Sequence, residues 1–276
     1  MIPVFIVSGY LGAGKTTLIR DFLRAPDGLR ATVLVNDFGQ INIDAELIAE
    51  TGADTIALTN GCACCSIGDD LLGAAQTAVQ GKPDVLIIEA SGVAQPARIA
   101  RLLHGVVGTR PARCLAVVNL ARAPVLSRDK FVSTLFRQQI EQAQGLSLNR
   151  QNHGLPNRDE PWHTQIARYE TLNDFISARP SGDSRQDGGT DTPGKIHFTQ
   201  SVLHPHAMSE PELKAWLMQR CPNLHRAKGQ VPLHLGNGKI YMARMDFVQG
   251  DWSFRPQPER PLAHFGEVVA IAPDVR

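Results

Sequence analysis

One glycine-rich segment near the start of the chain constrains the fold more than any other feature. The segment Gly9–Thr16 has the sequence GYLGAGKT, and it lies between the apolar run Pro3–Ser8 and a stretch with the spacing of an amphipathic helix. The pattern G-x-x-x-x-G-K-[ST] in this context is typical of a phosphate-binding loop, in which glycines let the backbone N–H groups face the phosphates. The sequence therefore predicts an α/β domain that binds a nucleoside triphosphate.

The repeating pattern of the first 120 residues agrees with that domain. Short runs rich in Val, Ile and Leu alternate with helix-like segments, as in parallel strands that are joined by crossover helices. We predict a phosphate-loop NTPase fold with a mainly parallel sheet. The predicted strands are Pro3–Ser8, Thr32–Asn36, Thr55–Leu58, Val85–Glu89 and Cys114–Asn119, and the predicted helices are Thr16–Arg24, Ser66–Gln80 and Ala97–Leu103.

The composition changes in the second half of the chain. We predict a nucleotide-binding domain over residues 1–152, a variable and partly flexible insert or linker over 153–195, and a small α+β C-terminal domain over 196–276. The insert contains a polar, glycine-rich stretch at residues 181–191. In the last domain we expect strands at 196–201, 231–235 and 240–247, with a helix that begins near Ser209, where the pattern S-E-P-E predicts a capping box.

An acidic residue closes the fourth apolar run. Glu89 follows Leu86–Ile88 and precedes Ala90-Ser91-Gly92. A carboxylate at the end of a strand beside a phosphate loop can hold Mg²⁺ or position the attacking water, and Gly92 can offer its backbone N–H to a γ-phosphate. A solvated acid at a strand end is the alternative. We expect Lys15, Thr16 and Glu89 to be the catalytic residues, with Thr16 and Glu89 holding Mg²⁺.

Three cysteines are crowded into one short segment. Cys62, Cys64 and Cys65 can converge on one soft or borderline metal ion such as Zn²⁺. Two alternatives stay open, a redox pair of thiols near a helix N-terminus and a set of small buried residues. The crowded cysteines do not form a spaced disulfide framework, and a reducing compartment favours thiolate or metal chemistry as their use.

Charge and hydropathy exclude some classes of partner. The formal net charge is +1 and hydrophobic residues make up 43% of the chain, without an apolar span of 18 residues or more. We therefore expect neither a nucleic acid nor a membrane as a partner. The apolar N-terminus lacks a basic region and a cleavage site, which favours a cytoplasmic protein.

Several motifs in order carry a resemblance to a known family. Gly9–Thr17, Val35–Asp44, Gly61–Cys65 and Glu89–Gly92 together resemble the CobW-type metallochaperone GTPases, relatives of the urease and hydrogenase nickel-insertion GTPases. Late in the chain, Arg226-Ala227-Lys228-Gly229 is similar to the R-x-K-G segment of the family's C-terminal domain. The resemblance covers nearly the whole chain and is weakest between residues 121 and 195.

The resemblance implies a slow GTPase that delivers a metal ion to a client metalloprotein. By position it implies Cys62, Cys64 and Cys65 as ligands of the transported metal, with Asp37, where the family usually has Glu, as a switch acid or further ligand. Asp44 matches the acid that closes that segment. Zinc is the first choice of metal, and cobalt, nickel and iron are also compatible with the site. A homo-oligomer is compatible with the resemblance.

The segment that reads the base departs from the family. Asn149-Arg150-Gln151-Asn152 aligns with Asn-Lys-x-Asp, so that Asn152 replaces the aspartate. A carboxamide has one acceptor oxygen where guanine presents two donors, which weakens the preference for GTP and makes ATP or XTP an alternative. A second hypothesis is therefore a degenerate nucleotide-binding regulator with weak hydrolysis. The residues expected to bind nucleotide are Gly9, Gly12, Ala13, Gly14, Lys15, Thr16, Thr17, Gly92, Asn149 and Asn152.

Overall fold

A computed structural model describes residues 1–35, 54–57, 67–149, 166–178, 198–234, 239–248, 250–256 and 266–273. The chain divides into two compact units, Met1–Gly194 and Lys195–Arg276. Among the described residues, no helix is long and apolar enough to span a membrane.

A parallel sheet forms the centre of the first unit. Within the described part of the chain it has six strands, in the spatial order β3–β2–β4–β1–β5–β6. The central strands are buried along their whole length, because helices on the sheet faces leave no side exposed to water. The strands are β1 (Val4–Ser8), β2 (Ala31–Val35), β3 (Asp54–Ala57), β4 (Val85–Glu89), β5 (Arg113–Asn119) and β6 (Gly145–Asn149).

The register of the sheet brings its functional ends together. β1 and β4 are adjacent, with Val7 opposite Glu89, and β5 and β6 are adjacent, with Asn119 opposite Asn149. Because all of these strands run in the same direction, their carboxyl ends lie at one edge of the sheet. Loops at that edge are the usual ligand site of open α/β sheets.

Helices connect these strands and pack on the sheet. Phe5 of β1 and Phe22 of the first helix belong to one buried cluster, which also contains Phe175. Phe175 lies in the segment predicted as an insert or linker, and its ring contacts those of Phe5 and Tyr169 edge to face, at centroid distances of 5.7 and 5.1 Å. The described helices are α1 (Lys15–Arg24), α2 (Ile67–Gln80), α3 (Pro96–Leu103), α4 (Ala123–Leu126), α5 (Ser133–Glu141) and α6 (Leu172–Ser177).

The second unit contains an antiparallel sheet and one described helix. The sheet order is β10–β9–β8–β11–β7. The helix α7 (Glu210–Arg220) has the predicted capping box, because Glu212 N–H donates to Ser209 Oγ and Ser209 N–H donates to the Glu212 carboxylate. The strands are β7 (Phe198–Leu203), β8 (Arg226–His234), β9 (Ile240–Val248), β10 (Asp251–Pro256) and β11 (Val268–Pro273). The predicted fold class, a parallel α/β domain followed by α+β structure, is confirmed.

Candidate functional site

The phosphate-binding loop connects β1 to α1. Its glycines Gly9, Gly12 and Gly14 have φ angles of 133°, 72° and 103°. A Cβ atom on Gly9 would lie 2.2 Å from the carbonyl oxygen of Val117 in β5, so that only glycine allows the loop to approach that strand. The tight turn is fixed by a hydrogen bond of 3.0 Å from Ala13 N–H to the Tyr10 carbonyl.

The N-terminus of α1 is well suited to an anion. Its N-cap is Gly14, which has no side-chain acceptor, and the first turn contains no acidic residue. The first N–H groups of a helix lack partners within the helix and carry its positive dipole end. A phosphate group at this position would therefore receive both hydrogen bonds and favourable charge.

Lys15 is held over the loop from the first position of α1. Its side chain is only 8% exposed, and its Nζ donates a hydrogen bond of 3.0 Å to the carbonyl oxygen of Gly9. The ammonium group thus lies against the loop backbone rather than in bulk water. Thr17, two positions further, is exposed on α1 and does not share this burial.

Thr16 and Glu89 form the polar centre beside the loop. The Thr16 hydroxyl donates a hydrogen bond of 2.7 Å to Oε1 of Glu89, and Glu89 is only 4% exposed at the end of β4. Two oxygen donors at this separation suit a hard cation such as Mg²⁺, which prefers carboxylate and hydroxyl ligands near phosphates. The residues present therefore fit the metal that the motif predicts.

Gly92 packs directly on the phosphate loop. A Cβ atom at this position would lie 2.7 Å from the backbone nitrogen of Leu11 and 2.8 Å from its Cα. Glycine is therefore required for the segment after β4 to touch the loop. The structure brings Lys15, Thr16, Glu89 and Gly92 together at one edge of the sheet.

Asn149 reaches the loop from β6. Its Nδ2 donates a hydrogen bond to the carbonyl oxygen of Ala13, and a Cβ atom on Gly14 would lie 2.7 Å from the same nitrogen. The asparagine that opens the predicted base-reading segment thus contacts the phosphate loop. Asn152, which closes that segment, lies outside the described residues.

The predicted ligands of the transported metal also lie outside the described residues. These are Asp37, Cys62, Cys64 and Cys65, and Asp44 lies in the same part of the chain. Within the described residues, no group of three His, Cys, Asp or Glu side chains could hold a metal ion. Cys114 and Cys221 are buried free thiols, and burial raises the pKa of both, which disfavours the thiolate that a metal requires.

Two residues of this region were not singled out from the sequence. Tyr10, inside the loop, is 1% exposed. Burial is the main cause that raises the pKa of its hydroxyl, and the negative charge of Asp129 raises it further. Gln139 of α5 is also 1% exposed and donates hydrogen bonds to the carbonyl oxygens of Gly92 and Ala94. The available signal was a glutamine on the apolar face of a helix, beside the buried Phe136 and Ile140.

Comparisons of the sequence with known proteins point to one family. Residues 3–174 match the sequence model described as CobW/HypB/UreG, nucleotide-binding domain. A segment covering 34% of the chain is 41% identical to the zinc chaperone CobW of a Sinorhizobium species, over 29% of that protein. Another segment, covering 56% of the chain, is 33% identical to the zinc chaperone YeiR of Escherichia coli (strain K12), over 48% of it.

Among solved structures, the Zn(II)-bound YjiA GTPase from E. coli is similar over 99% of this chain and 94% of that one. The sequence identity is 18% and the TM-score is 0.44. The matched segments span less than half the length of the two curated relatives, 29% and 48%. On the match over residues 3–174, the chain belongs to the CobW/HypB/UreG family and carries its nucleotide-binding domain.

Proposed function

We propose that this chain binds and hydrolyses GTP and uses the nucleotide state to control the binding and delivery of a transition metal ion. The observation that carries the proposal is the Thr16–Glu89 pair, in which a hydroxyl and a buried carboxylate meet beside a phosphate loop. Phosphate loops without such an acid can bind phosphates, whereas hydrolysis needs groups that stabilise charge and orient water.

The phosphates would be bound by groups that the fold has already oriented. Lys15 contributes a positive charge beside the Gly9 carbonyl, and the uncapped first turn of α1 contributes N–H groups. Preorganised donors of this kind stabilise developing negative charge without reorganising during the reaction.

Glu89 and Thr16 would hold the Mg²⁺ ion. When bound, Mg²⁺ supplies neutralisation of the charge on the β- and γ-phosphate oxygens. Glu89 would orient a water near the γ-phosphate, and Gly92, which packs on the loop, would offer its backbone N–H to that phosphate. Each of these roles belongs to a residue that lies at the carboxyl edge of the sheet.

The cargo would be a transition metal ion held by Cys62, Cys64 and Cys65, with Asp37 as a further ligand. Thiolates bind Zn²⁺ and other borderline metals, and the curated relatives CobW and YeiR are named zinc chaperones. Zinc is therefore the first choice, and cobalt, nickel and iron are the alternatives. Loss of the γ-phosphate would rearrange residues 37–44 and thereby release the metal to a client metalloprotein.

Elemental analysis with and without nucleotide tests this proposal. We expect the purified protein to bind Zn²⁺, and replacement of Cys62, Cys64 and Cys65 by serine to abolish this binding. Cys221→Ala is the control, because its buried thiol has a raised pKa and should not contribute. An unchanged zinc content in the triple variant would contradict the metallochaperone role. A rate of GTP hydrolysis that is the same with and without zinc would contradict it as well.

A second candidate is a nucleotide-binding regulator with weak hydrolysis or relaxed base specificity. The observation that favours it is Asn152, which stands in place of the family's aspartate. The two candidates differ in base specificity and in hydrolysis. The regulator should bind triphosphates of several bases, and its hydrolysis should not depend on the transported metal.

A further inference from the structure

We propose that Gln139 of α5 is a positioning residue, which holds the segment after Glu89 in register with the phosphate loop. The inference rests on the proposed GTP hydrolysis, because it assigns to Gln139 the alignment of Glu89 and Gly92 for that reaction. The side chain of Gln139 donates its hydrogen bonds to the segment that follows Glu89, so its role is exerted through that segment.

The amide of Gln139 uses both of its hydrogens on this segment. Nε2 donates to the carbonyl oxygen of Gly92 at 3.1 Å and to that of Ala94 at 2.9 Å. The side chain is 1% exposed, so water does not compete for these bonds. Hydrogen bonds that are removed from water restrict geometry more strongly than exposed ones.

Gly92 also packs on the phosphate loop. Gly92 approaches the backbone of Leu11 so closely that a Cβ atom would lie 2.7 Å from the Leu11 nitrogen. Gly92 thus contacts both the loop and the Gln139 amide. A movement of Gly92 toward or away from a γ-phosphate must change the bonds of Gln139.

Neighbouring glutamines fix the rest of the segment to the same helix. Gln138 Oε1 accepts a bond of 3.1 Å from Gln95 Nε2, and Gln142 Oε1 accepts one of 3.3 Å from Ala97 N–H at the start of α3. Three glutamines of α5 and its C-cap therefore hold the segment from Gly92 to Ala97. Gln139 is the one of the three that binds the part in contact with the phosphate loop.

One polar atom of Gln139 is left for a second arrangement. Its Oε1 is buried and has no hydrogen-bond partner within the described residues. A buried acceptor without a partner is unfavourable. A backbone N–H of the same segment could satisfy it when Gly92 moves, which would give the amide a different set of bonds in each nucleotide state.

Single-turnover kinetics test the positioning role. Gln139→Met keeps the length of the side chain and removes both donors, and Gln139→Glu places a carboxylate against two carbonyl oxygens. Gln76→Met, the same change at an exposed position of α2, is the matched control. We expect GTP hydrolysis to fall roughly 10- to 100-fold in both Gln139 variants, with Kd for a non-hydrolysable GTP analogue nearly unchanged, and the control to behave as the wild type.

A purely structural glutamine would give a different result. In that case hydrolysis, nucleotide affinity and melting temperature would fall together, or none of them would change, and either result would overturn the proposal. If the wild type itself does not hydrolyse GTP, the proposed function fails instead, and the two failures are therefore distinguishable.

Side-chain amide NMR of the wild-type protein gives a second measurement that does not depend on how well the variants fold. We expect the Gln139 NH₂ signals to exchange slowly with water and to shift between the GDP state and the state with a GTP analogue. Gln138 NH₂ signals should shift less. Identical Gln139 signals in the two nucleotide states would overturn the proposal.

Discussion

The hydroxyl of Thr16, at the start of α1, donates a hydrogen bond of 2.7 Å to Oε1 of Glu89, at the end of β4. The residues are 73 positions apart in sequence, and the pairing of β1 with β4 places them side by side. This bond joins the helix of the phosphate loop to the strand that leads into Gly92. Changes in either partner should therefore affect hydrolysis more than folding.

Replacing Glu89 with glutamine separates charge from geometry. The carboxamide keeps an oxygen that can accept the Thr16 hydrogen bond, but it removes the negative charge that suits Mg²⁺. We expect hydrolysis to fall about 10²- to 10³-fold and the Mg²⁺ concentration for half-maximal rate to rise, with nucleotide affinity little changed. Single-turnover rates over a Mg²⁺ titration measure this. Glu141→Gln, at an exposed end of α5, is the control, and a wild-type rate in Glu89→Gln would refute the assignment.

Two glycine substitutions should have opposite effects on stability. Gly9→Ala puts a Cβ atom 2.2 Å from the Val117 carbonyl at a positive φ, whereas Gly73→Ala in α2 meets nothing within 4 Å. We expect Gly9→Ala to lower the free energy of unfolding by about 1–3 kcal/mol or more, and Gly73→Ala to raise it by about 0.5–1 kcal/mol. Urea unfolding of both variants measures the difference, and equal midpoints would be inconsistent with the loop geometry.

The sequence predicted the parts of the fold in which local and tertiary preferences agree. Val85–Glu89 was predicted with its exact bounds because a buried parallel strand is a continuous apolar run. The start of α7 was predicted from the capping box at Ser209, which is a purely local signal. The phosphate loop was predicted for the same reason, since its residues are contiguous.

Other elements depend on contacts that are distant in sequence. The edge strand β10 was not predicted, because it is short and most of its residues are exposed, and it is fixed by pairing with β9, where Trp252 lies opposite Phe247. α6 was not predicted either, because it is short and its burial depends on contacts with β1. Gln139 bonds to Gly92 across 47 positions, a relation that a single sequence does not contain.

Because of Cys114, the free energy of unfolding should fall as the pH becomes alkaline. Burial in β5 raises the pKa of its thiol, whereas in the unfolded chain a thiol ionises near about pH 8.5. Above that pH the unfolded chain binds fewer protons than the native protein, so the free energy of unfolding falls as pH rises. Through this one thiol, the free energy of unfolding falls by up to about 1.4 kcal/mol for each pH unit.

Denaturant unfolding of the wild type and Cys114→Ala from pH 7 to pH 10 measures this effect. The difference in free energy of unfolding between the two proteins should be constant below about pH 8 and shrink above about pH 9. Only in the wild type does ionisation of the residue 114 thiol stabilise the unfolded chain. A difference that stays constant up to pH 10 would contradict it.

The identity of residue 152 should control the choice of base. Asn149 already contacts the phosphate loop through Ala13, and Asn152 follows it at the position where the family has aspartate. A carboxylate accepts from both guanine donors, whereas a carboxamide leaves one donor poorly paired, at a cost of about 1–3 kcal/mol. Asn152→Asp should therefore raise the preference for GTP over ATP by about 10- to 100-fold.

Competition of GTP, ATP and XTP against a labelled analogue measures that preference. The wild type should bind XTP more tightly than Asn152→Asp does. Xanthine presents an oxygen to the carboxamide NH₂ at the position where guanine presents an amino group. Asn223→Asp, at an exposed position of the second unit, makes the same substitution outside the nucleotide-binding domain and should leave the three affinities unchanged. Strong GTP selectivity in the wild type, or equal selectivity in Asn152→Asp, would show that another residue reads the base.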